Sequence, residues 1–449
     1  TDSPVDGENT AYAWYVVAIL MLAYIFSYVD RTILTLLVGP IRDDLGINDT
    51  EISLLHGMAF AIFYTALGLP LGRLADRTNR VRLITAGIVI WSLMTAACGL
   101  ARNFAQLFLT RIGVGVGEAA LSPAAYSIIT DSFRPEKLSR AISVYVLGSY
   151  LGMGVAFMIG GLVTAAIAGM NPVSIPVIGV IKGWQLAFFL IGIPGLLMAW
   201  IASSLREPER RGRIQNQPAG KSLPLPVVWV FIRRNATTLS CHMFGFGFLA
   251  LLVNGAALWT PTLFVRSYGW SLPQAGMIYG LLIFLFGGLG GYAGGWIADR
   301  RDRNGPAGGP FYAAALGAGL SILPSIAMPL MPTAELAIIL LAPTIFFGSL
   351  PFGLAVSAIQ QIAPNEMRGQ ISALYLLIVN LLGIGLGPTA IAMVTDYGFG
   401  DDNALHYSMA IIGGLSAISA TLLLMLGIKP FRRSLAALDD FTPPSGPTS

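Results

Sequence analysis

The sequence predicts an all-α membrane protein, twelve transmembrane helices arranged as two six-helix bundles. Three observations predict it: an apolar composition, twelve apolar stretches of membrane-spanning length, and a basic motif that recurs at half the chain length. Of 449 residues, 55% are hydrophobic and 11% charged, and the mean hydropathy is +0.70. A soluble protein of this size needs more polar surface than that.

Stretches of roughly 20 apolar residues cross a hydrocarbon core about 30 Å thick. Twelve begin near Trp14, Glu51, Val81, Phe104, Arg140, Trp184, Ala236, Pro273, Phe311, Ala334, Gln370 and Leu405. Cytoplasmic loops retain Lys and Arg, so the basic residues orient the bundle. Of 27 Lys and Arg, 21 fall in alternate connections and the tail, while the opposite face holds only Arg42, Arg102, Lys182 and Arg266. Both termini are therefore expected on the cytoplasmic side. The net charge of +4 reports this topology and implies no nucleic-acid partner. The acidic start (Asp2, Asp6, Glu8) does not resemble a cleaved signal peptide. Cys98 and Cys241 sit in apolar helices and read as buried small hydrophobes, with no disulfide or metal framework.

The recurring motif is Gly72-Arg-Leu-Ala-Asp76-Arg77-Thr-Asn-Arg80, matched at five of nine positions by Gly295-Trp-Ile-Ala-Asp299-Arg300-Arg-Asp-Arg303, 223 residues later. A second pair, Pro135 to Ser143 around Arg140 and Pro364 to Ser372 around Arg368, repeats at nearly the same offset. Two repeats at one period mark duplicated halves. The expected organisation is a cytoplasmic segment 1–13, a bundle 14–204, a polar linker 205–235, a bundle 236–428 and a cytoplasmic tail 429–449. Within the linker, Pro224 to Asn235 reads either as a short helix along the inner leaflet or as the early start of helix seven.

The motif Gly-x-Leu-Ala-Asp-Arg-x-x-Arg after helix two, with its copy after helix eight, resembles the signature loop of the major facilitator superfamily. The resemblance implies that fold, with Asp76, Arg77, Arg80, Arg140, Asp299, Arg300 and Arg368 as a cytoplasmic gate. Ser27-Tyr-Val-Asp30-Arg31 in helix one and Arg111 to Glu118 in helix four resemble the Spinster branch in its bacterial form. That implies a bacterial inner membrane and a substrate of the lysophospholipid or sphingolipid class. Helix five, Gly148 to Gly161, resembles the superfamily's antiporter motif but lacks its proline, which leaves export by antiport less supported.

Four ionisable residues lie well inside helices: Asp30, Arg31, Arg111 and Glu118. Each costs about 3 kcal/mol on insertion scales, so each should face a partner or a cavity. At 1.5 Å per residue, Asp30 lies about 24 Å along helix one and Arg111 about 10 Å below the other end of helix four, nearly level. Glu118, seven residues on, shares the Arg111 face near the midplane. Gly113, Gly115 and Gly117 between them permit close approach of a backbone or a ligand. Desolvation and a nearby arginine pull such a carboxyl's proton affinity in opposite directions, so its protonation can follow cavity wetting. Asp30 and Glu118 are the expected proton carriers, with Arg31 and Arg111 holding them or an anionic headgroup. Adjacent helical residues diverge by about 100°, so Asp30 and Arg31 cannot face one direction. A static set of ion pairs between helices one and four is the plainer alternative.

The second half carries polar-tipped and aromatic groups instead, including Asn254, Trp259, Tyr375 and Asn380, which with Tyr28 complete the candidate substrate-binding set. No metal-spaced cluster, nucleophile elbow or GxxxxGK phosphate loop is present in the sequence, which argues against an enzyme and against direct ATP drive. The expected function is proton-coupled transport of an amphipathic anionic lipid-like substrate by alternating access, by a monomer without cofactor in the lipid bilayer. A proton-coupled organic-anion or sugar-phosphate symporter and a multidrug efflux antiporter are the alternatives.

Overall fold

The computed structural model describes residues 8–133, 135–176, 179–209, 225–305, 307–351, 353–364 and 367–437. Among the described residues, twelve helices are long and apolar enough to cross a membrane: Ala11–Leu36, Asp49–Gly68, Arg80–Cys98, Phe104–Ser132, Arg140–Ile167, Gly183–Ser203, Ala236–Tyr268, Leu272–Asn304, Gly309–Leu330, Ala334–Ile362, Gln370–Phe399 and Asp402–Ala436. These are spans one to twelve, and each begins within three residues of its expected start.

The starts are sharp because polar side chains satisfy the first free amides. Asn48, Asn79 and Asn103 each accept from the backbone NH three residues on, at 2.8 to 2.9 Å. At Asn48 the Glu51 carboxylate reciprocates, completing a capping box. Span four is interrupted after Glu118, where helix Phe104–Glu118 gives way through Ala119 and Ala120 to helix Leu121–Ser132. Pro123 causes the break, since it has no NH to return to the Ala119 carbonyl. Span two carries a π-helical turn, Leu54–Met58.

The chain forms two compact units. The first comprises 1–213, 257–288 and 392–405, the second 214–256, 289–391 and 406–449. In the first, spans five and eight approach at backbone distance. A Cβ at Gly280 would lie 2.6 Å from the Gly154 carbonyl oxygen, and one at Gly154 2.8 Å from the Gly280 carbonyl. Only glycine permits that crossing. A small antiparallel hairpin, Val173–Ile175 with Gly179–Ile181, departs from the all-helical expectation.

The second unit is built around Phe246, Phe311, Phe431 and Tyr375. The helix Leu225–Arg234 buries Val228 and Phe231 in this core and is separated from span seven by a turn at Asn235. It is thus a helix of its own. Residues 210–224 of the expected linker, with 1–7 and 438–449, lie outside the described residues.

Candidate transport site

Ser27 and Arg31 lie one turn apart on span one and therefore share a face. The Ser27 hydroxyl donates to Glu118 Oε2 at 2.6 Å, and Arg31 Nε donates to the same oxygen at 2.5 Å. Arg31 Nη2 also pairs with that oxygen and donates to Ser27 Oγ at 3.3 Å. Glu118 is buried, and its other oxygen, Oε1, has no hydrogen-bond partner among the described residues. The carboxylate is thus bonded at one oxygen and buried without a hydrogen bond at the other.

Asp30 turns away from this pair, as the 100° step requires. It stands beside Arg111, which is fully buried and donates from Nη1 to the Asp30 carbonyl at 3.2 Å. Neither Asp30 carboxylate oxygen, nor Arg111 Nε or Nη2, has a hydrogen bond among the described residues. Trp91 and Thr95 of span three flank the carboxylate without reaching hydrogen-bond geometry. The four charges therefore sort into Arg31 with Glu118 and Arg111 with Asp30, and Arg111 does not bond Glu118.

Span four comes this close because its glycines meet backbone and side chain on both sides. A Cβ at Gly115 would lie 3.0 Å from the Phe60 carbonyl of span two, and at Gly117 2.6 Å from the Trp91 nitrogen of span three. These glycines accommodate neighbouring helices. On its other side the Arg31 guanidinium lies 4.4 Å from the Phe60 ring centre, 5.0 Å from Tyr64 and 5.4 Å from Tyr28, within cation–π range. His56 sits in the π-helical turn of span two with Arg111 and Arg31 as its charged neighbours, and its Nδ1 is buried without a hydrogen bond among the described residues. The sequence alone assigns His56 a hydrogen-bonded structural role, because only the fold brings span two to these arginines. A π turn at a functional centre is the available signal.

Of the other candidate binding residues, Tyr28 packs on Tyr24 with ring centres 5.3 Å apart. Asn254 donates its amide to Ala250 of its own helix at 2.8 Å. Trp259 is fully buried, 6.0 Å from the Arg266 guanidinium. Tyr375 is buried against His242 and Phe246 in the second unit. Asn380 is half-buried where span eleven enters its π turn Leu381–Leu386.

At the signature-loop end, Arg80 is fully buried and makes a network instead of standing free. Nε pairs with Glu207 at 2.6 Å, Nη1 with Asp131 and, at 2.8 Å, with Ser127, and Nη2 donates to the Pro208 carbonyl at 3.0 Å. Glu207 also accepts from the Val81 NH at 3.0 Å, capping span three. Arg80 thus ties spans three and four to the segment after span six, all within the first unit. The Asp76 side chain lies outside the described residues. Arg77 is exposed. Arg140 lies 5.7 Å over Trp14 and Arg300 5.4 Å over Trp296. The exposed Asp299 gives its carbonyl to Arg303 at 3.3 Å, and Arg368 donates to the Ala363 carbonyl at 3.0 Å. Among the described residues these five side chains form no ion pair with one another.

At the opposite end of the first unit, the buried Asp49 accepts both Arg266 nitrogens, at 2.6 and 2.7 Å, and pairs with Arg42 at 2.7 Å. Arg42 also reaches Asp402 at 2.9 Å, and Asp396 accepts the Thr50 NH and hydroxyl at 2.7 and 2.6 Å. Burial alone would loosen the Arg42 proton, but the bonds to Asp402 and Asp49 outweigh it and push its pKa above the ordinary arginine value. The three carboxylates come within 4.8 Å of one another, a spacing that a cation could bridge, yet arginines already supply the positive charge.

Twelve spans around carboxylates and arginines buried in mid-helix are the build of a membrane transporter. The sequence pattern of the Major Facilitator Superfamily matches residues 20–388, and the chain belongs to that family. Its likeness to the Spinster branch is borne out by a solved structure, a bacterial homologue of the human lysosomal transporter Spinster in an inward-facing, occupied conformation. The two are 26% identical with a TM-score of 0.75, over 97% of this chain and 99% of that one. An MFS-type efflux pump of Mycolicibacterium smegmatis is 27% identical over 87% of this chain and 86% of its own. The hexuronate transporter of Bacillus subtilis is 25% identical over 92% of this chain and 94% of its own.

Proposed function

We propose that the chain is a proton-coupled transporter of an anionic, amphipathic substrate in a bacterial inner membrane, with both termini cytoplasmic. The carrying observation is the shared bond of Arg31 and Ser27 to one oxygen of Glu118 within a membrane span, the second oxygen being buried without a hydrogen bond among the described residues. While Glu118 is ionised, Arg31 is neutralised by it. A proton on the carboxyl removes that charge and leaves the guanidinium to the substrate's acidic group. Loss of the proton restores the pair and expels the anion, so binding and protonation are linked through one arginine. Asp30, beside Arg111, is the second proton-carrying carboxyl, on a face of span one turned from that of Arg31.

Two substrate sources share this acidic group. The resemblance of the motifs around Asp30 and Glu118 to the Spinster branch implies a lysophospholipid or sphingolipid, and the hexuronate transporter among the relatives supports a small organic acid. The test is uptake and efflux in proteoliposomes under an imposed pH gradient, with lysophospholipid, sphingosine phosphate and hexuronate each supplied. Accumulation of an anion that collapses when the gradient is dissipated is the expected result. Transport indifferent to the gradient for all three would remove the coupling.

A further inference from the structure

Beside the Arg31 and Glu118 pair stands a group of tyrosines that the coupling reading does not use. Tyr24 and Tyr28 come from span one, Tyr64 from span two, Tyr126 from span four and Tyr145 from span five. Tyr24 stacks on Tyr145 with centres 5.2 Å apart at 14°, and Tyr126 meets Tyr145 edge-on at 5.4 Å. Tyr64 stacks on Phe60 at 5.0 Å, and both flank the Arg31 guanidinium. The group is therefore continuous with the arginine.

Two facts set it apart from ordinary packing. Membrane tyrosines gather at the interfaces, where the ring is in lipid and the hydroxyl in water. At 1.5 Å per residue, Tyr24 and Tyr28 lie instead about 20 to 26 Å in from the signature-loop end of span one, while Tyr64, Tyr126 and Tyr145 lie about 6 to 9 Å in from that end of their spans. Tyr145 is also fully buried, and its hydroxyl stands beside the Ser122 side chain without reaching hydrogen-bond geometry to it or to any other described residue. A hydroxyl buried without a partner costs free energy, and phenylalanine would fill the same space without that cost. The wall is open on one side, since Tyr126 is 41% exposed while Tyr24, Tyr28 and Tyr64 are partly so.

We infer that this wall is a subsite for a polyhydroxylated group carried next to the substrate's anionic group, the anion on Arg31 and the hydroxyls on the tyrosines. Aromatic faces take the C–H surface of a sugar or polyol, and phenols both donate to and accept from its hydroxyls. The chemistry is common to a sugar acid and to a lysolipid with a polyol headgroup. The inference rests on the proposed role of Arg31 as the anion's partner but not on proton coupling.

The test is equilibrium binding to the purified full chain at fixed pH, without a gradient. Two pairs of probes each differ by hydroxyls: gluconate against hexanoate, and lysophosphatidylglycerol against lysophosphatidylpropanol. The wild type should favour at least one hydroxylated member. Tyr126→Phe and Tyr145→Phe should each cut that preference about tenfold and leave the plain anion's affinity unchanged. Loss of preference in the gluconate pair identifies a free acid, and in the lysophosphatidylglycerol pair a lipid headgroup. No preference in either pair, or a preference that both phenylalanine variants retain, overturns the subsite. Glu118→Gln, read in gradient-driven transport, tests the coupling separately, so hydroxyl preference with no coupling is a distinguishable result.

Discussion

Arg31 and Glu118 meet on a single carboxylate oxygen, which takes the arginine Nε at 2.5 Å and the Ser27 hydroxyl at 2.6 Å. With both side chains on one oxygen, the other is left without a hydrogen bond among the described residues and can take a proton. The neighbouring pair has a different build, since Arg111 bonds the Asp30 backbone and only faces its carboxylate. Four charges over two spans thus make one tight pair and one loose pair.

The loose pair gives a stability prediction. Arg111→Ala leaves the Asp30 carboxylate buried beside no cation of its own, which should cost about 3 to 5 kcal/mol. Asp30→Asn together with Arg111→Gln should cost less than the sum of the two single changes, because the partners share one electrostatic term. Thermal unfolding of the four proteins in detergent measures the coupling, and strict additivity would refute the pairing.

Arg80 and Arg77 should separate although they are three residues apart in one motif. Arg80→Ala removes the buried cation that pairs with Asp131 and Glu207 and should lower stability by about 2 to 4 kcal/mol. Arg77 is exposed, so its alanine variant should stay within about 0.5 kcal/mol. Thermal midpoints compare them directly.

Asp49 holds Arg266 and Arg42 together at the end opposite the signature loops. Asp49→Asn should loosen that end and raise the labelling rate of a cysteine placed at the buried Thr262 by about five- to tenfold, given the size of one charged hydrogen-bonded contact. The assay uses a membrane-impermeant thiol reagent on a background without Cys98 and Cys241. Unchanged labelling would mean that the network does not close this end.

Two glycines of span eight should respond oppositely. Gly280→Ala drives a Cβ into the Gly154 carbonyl and should cost about 1 to 3 kcal/mol. Gly295 has nothing within 4 Å of its notional Cβ, so Gly295→Ala should gain about 0.5 to 1 kcal/mol of helix propensity. Thermal stability and transport rate together report whether the close crossing also serves movement.

The spans and the buried charges were legible because each rests on local information. A run of 20 apolar residues needs no partner to be recognised, and a carboxylate within one is conspicuous alone. Which charge meets which was not legible, because axial height along two helices leaves their rotation free. Arg111 and Glu118 lie on one face of span four, yet the turn of span one assigns Glu118 to Arg31 and Arg111 to the Asp30 carbonyl. The gate residues divided for a similar reason. Arg80 and Arg77 are equivalent as basic residues, and only the return of the chain at Glu207 buries one of them. The tyrosines were invisible as a set, being spread over four spans with nothing periodic to link them. The second-half candidates Trp259 and Tyr375 were chosen by residue type, which does not tell a buried ring from an open one.

The central claim is that Glu118 releases Arg31 by taking a proton. Its most direct test is proton flux, read by a pH dye inside proteoliposomes, upon addition of a transported anion to the wild type and to Glu118→Gln. The account predicts anion-linked proton movement in the wild type and its loss in the variant, with anion binding at fixed pH retained because Gln leaves Arg31 free. Equal anion-linked proton flux in both proteins would contradict it.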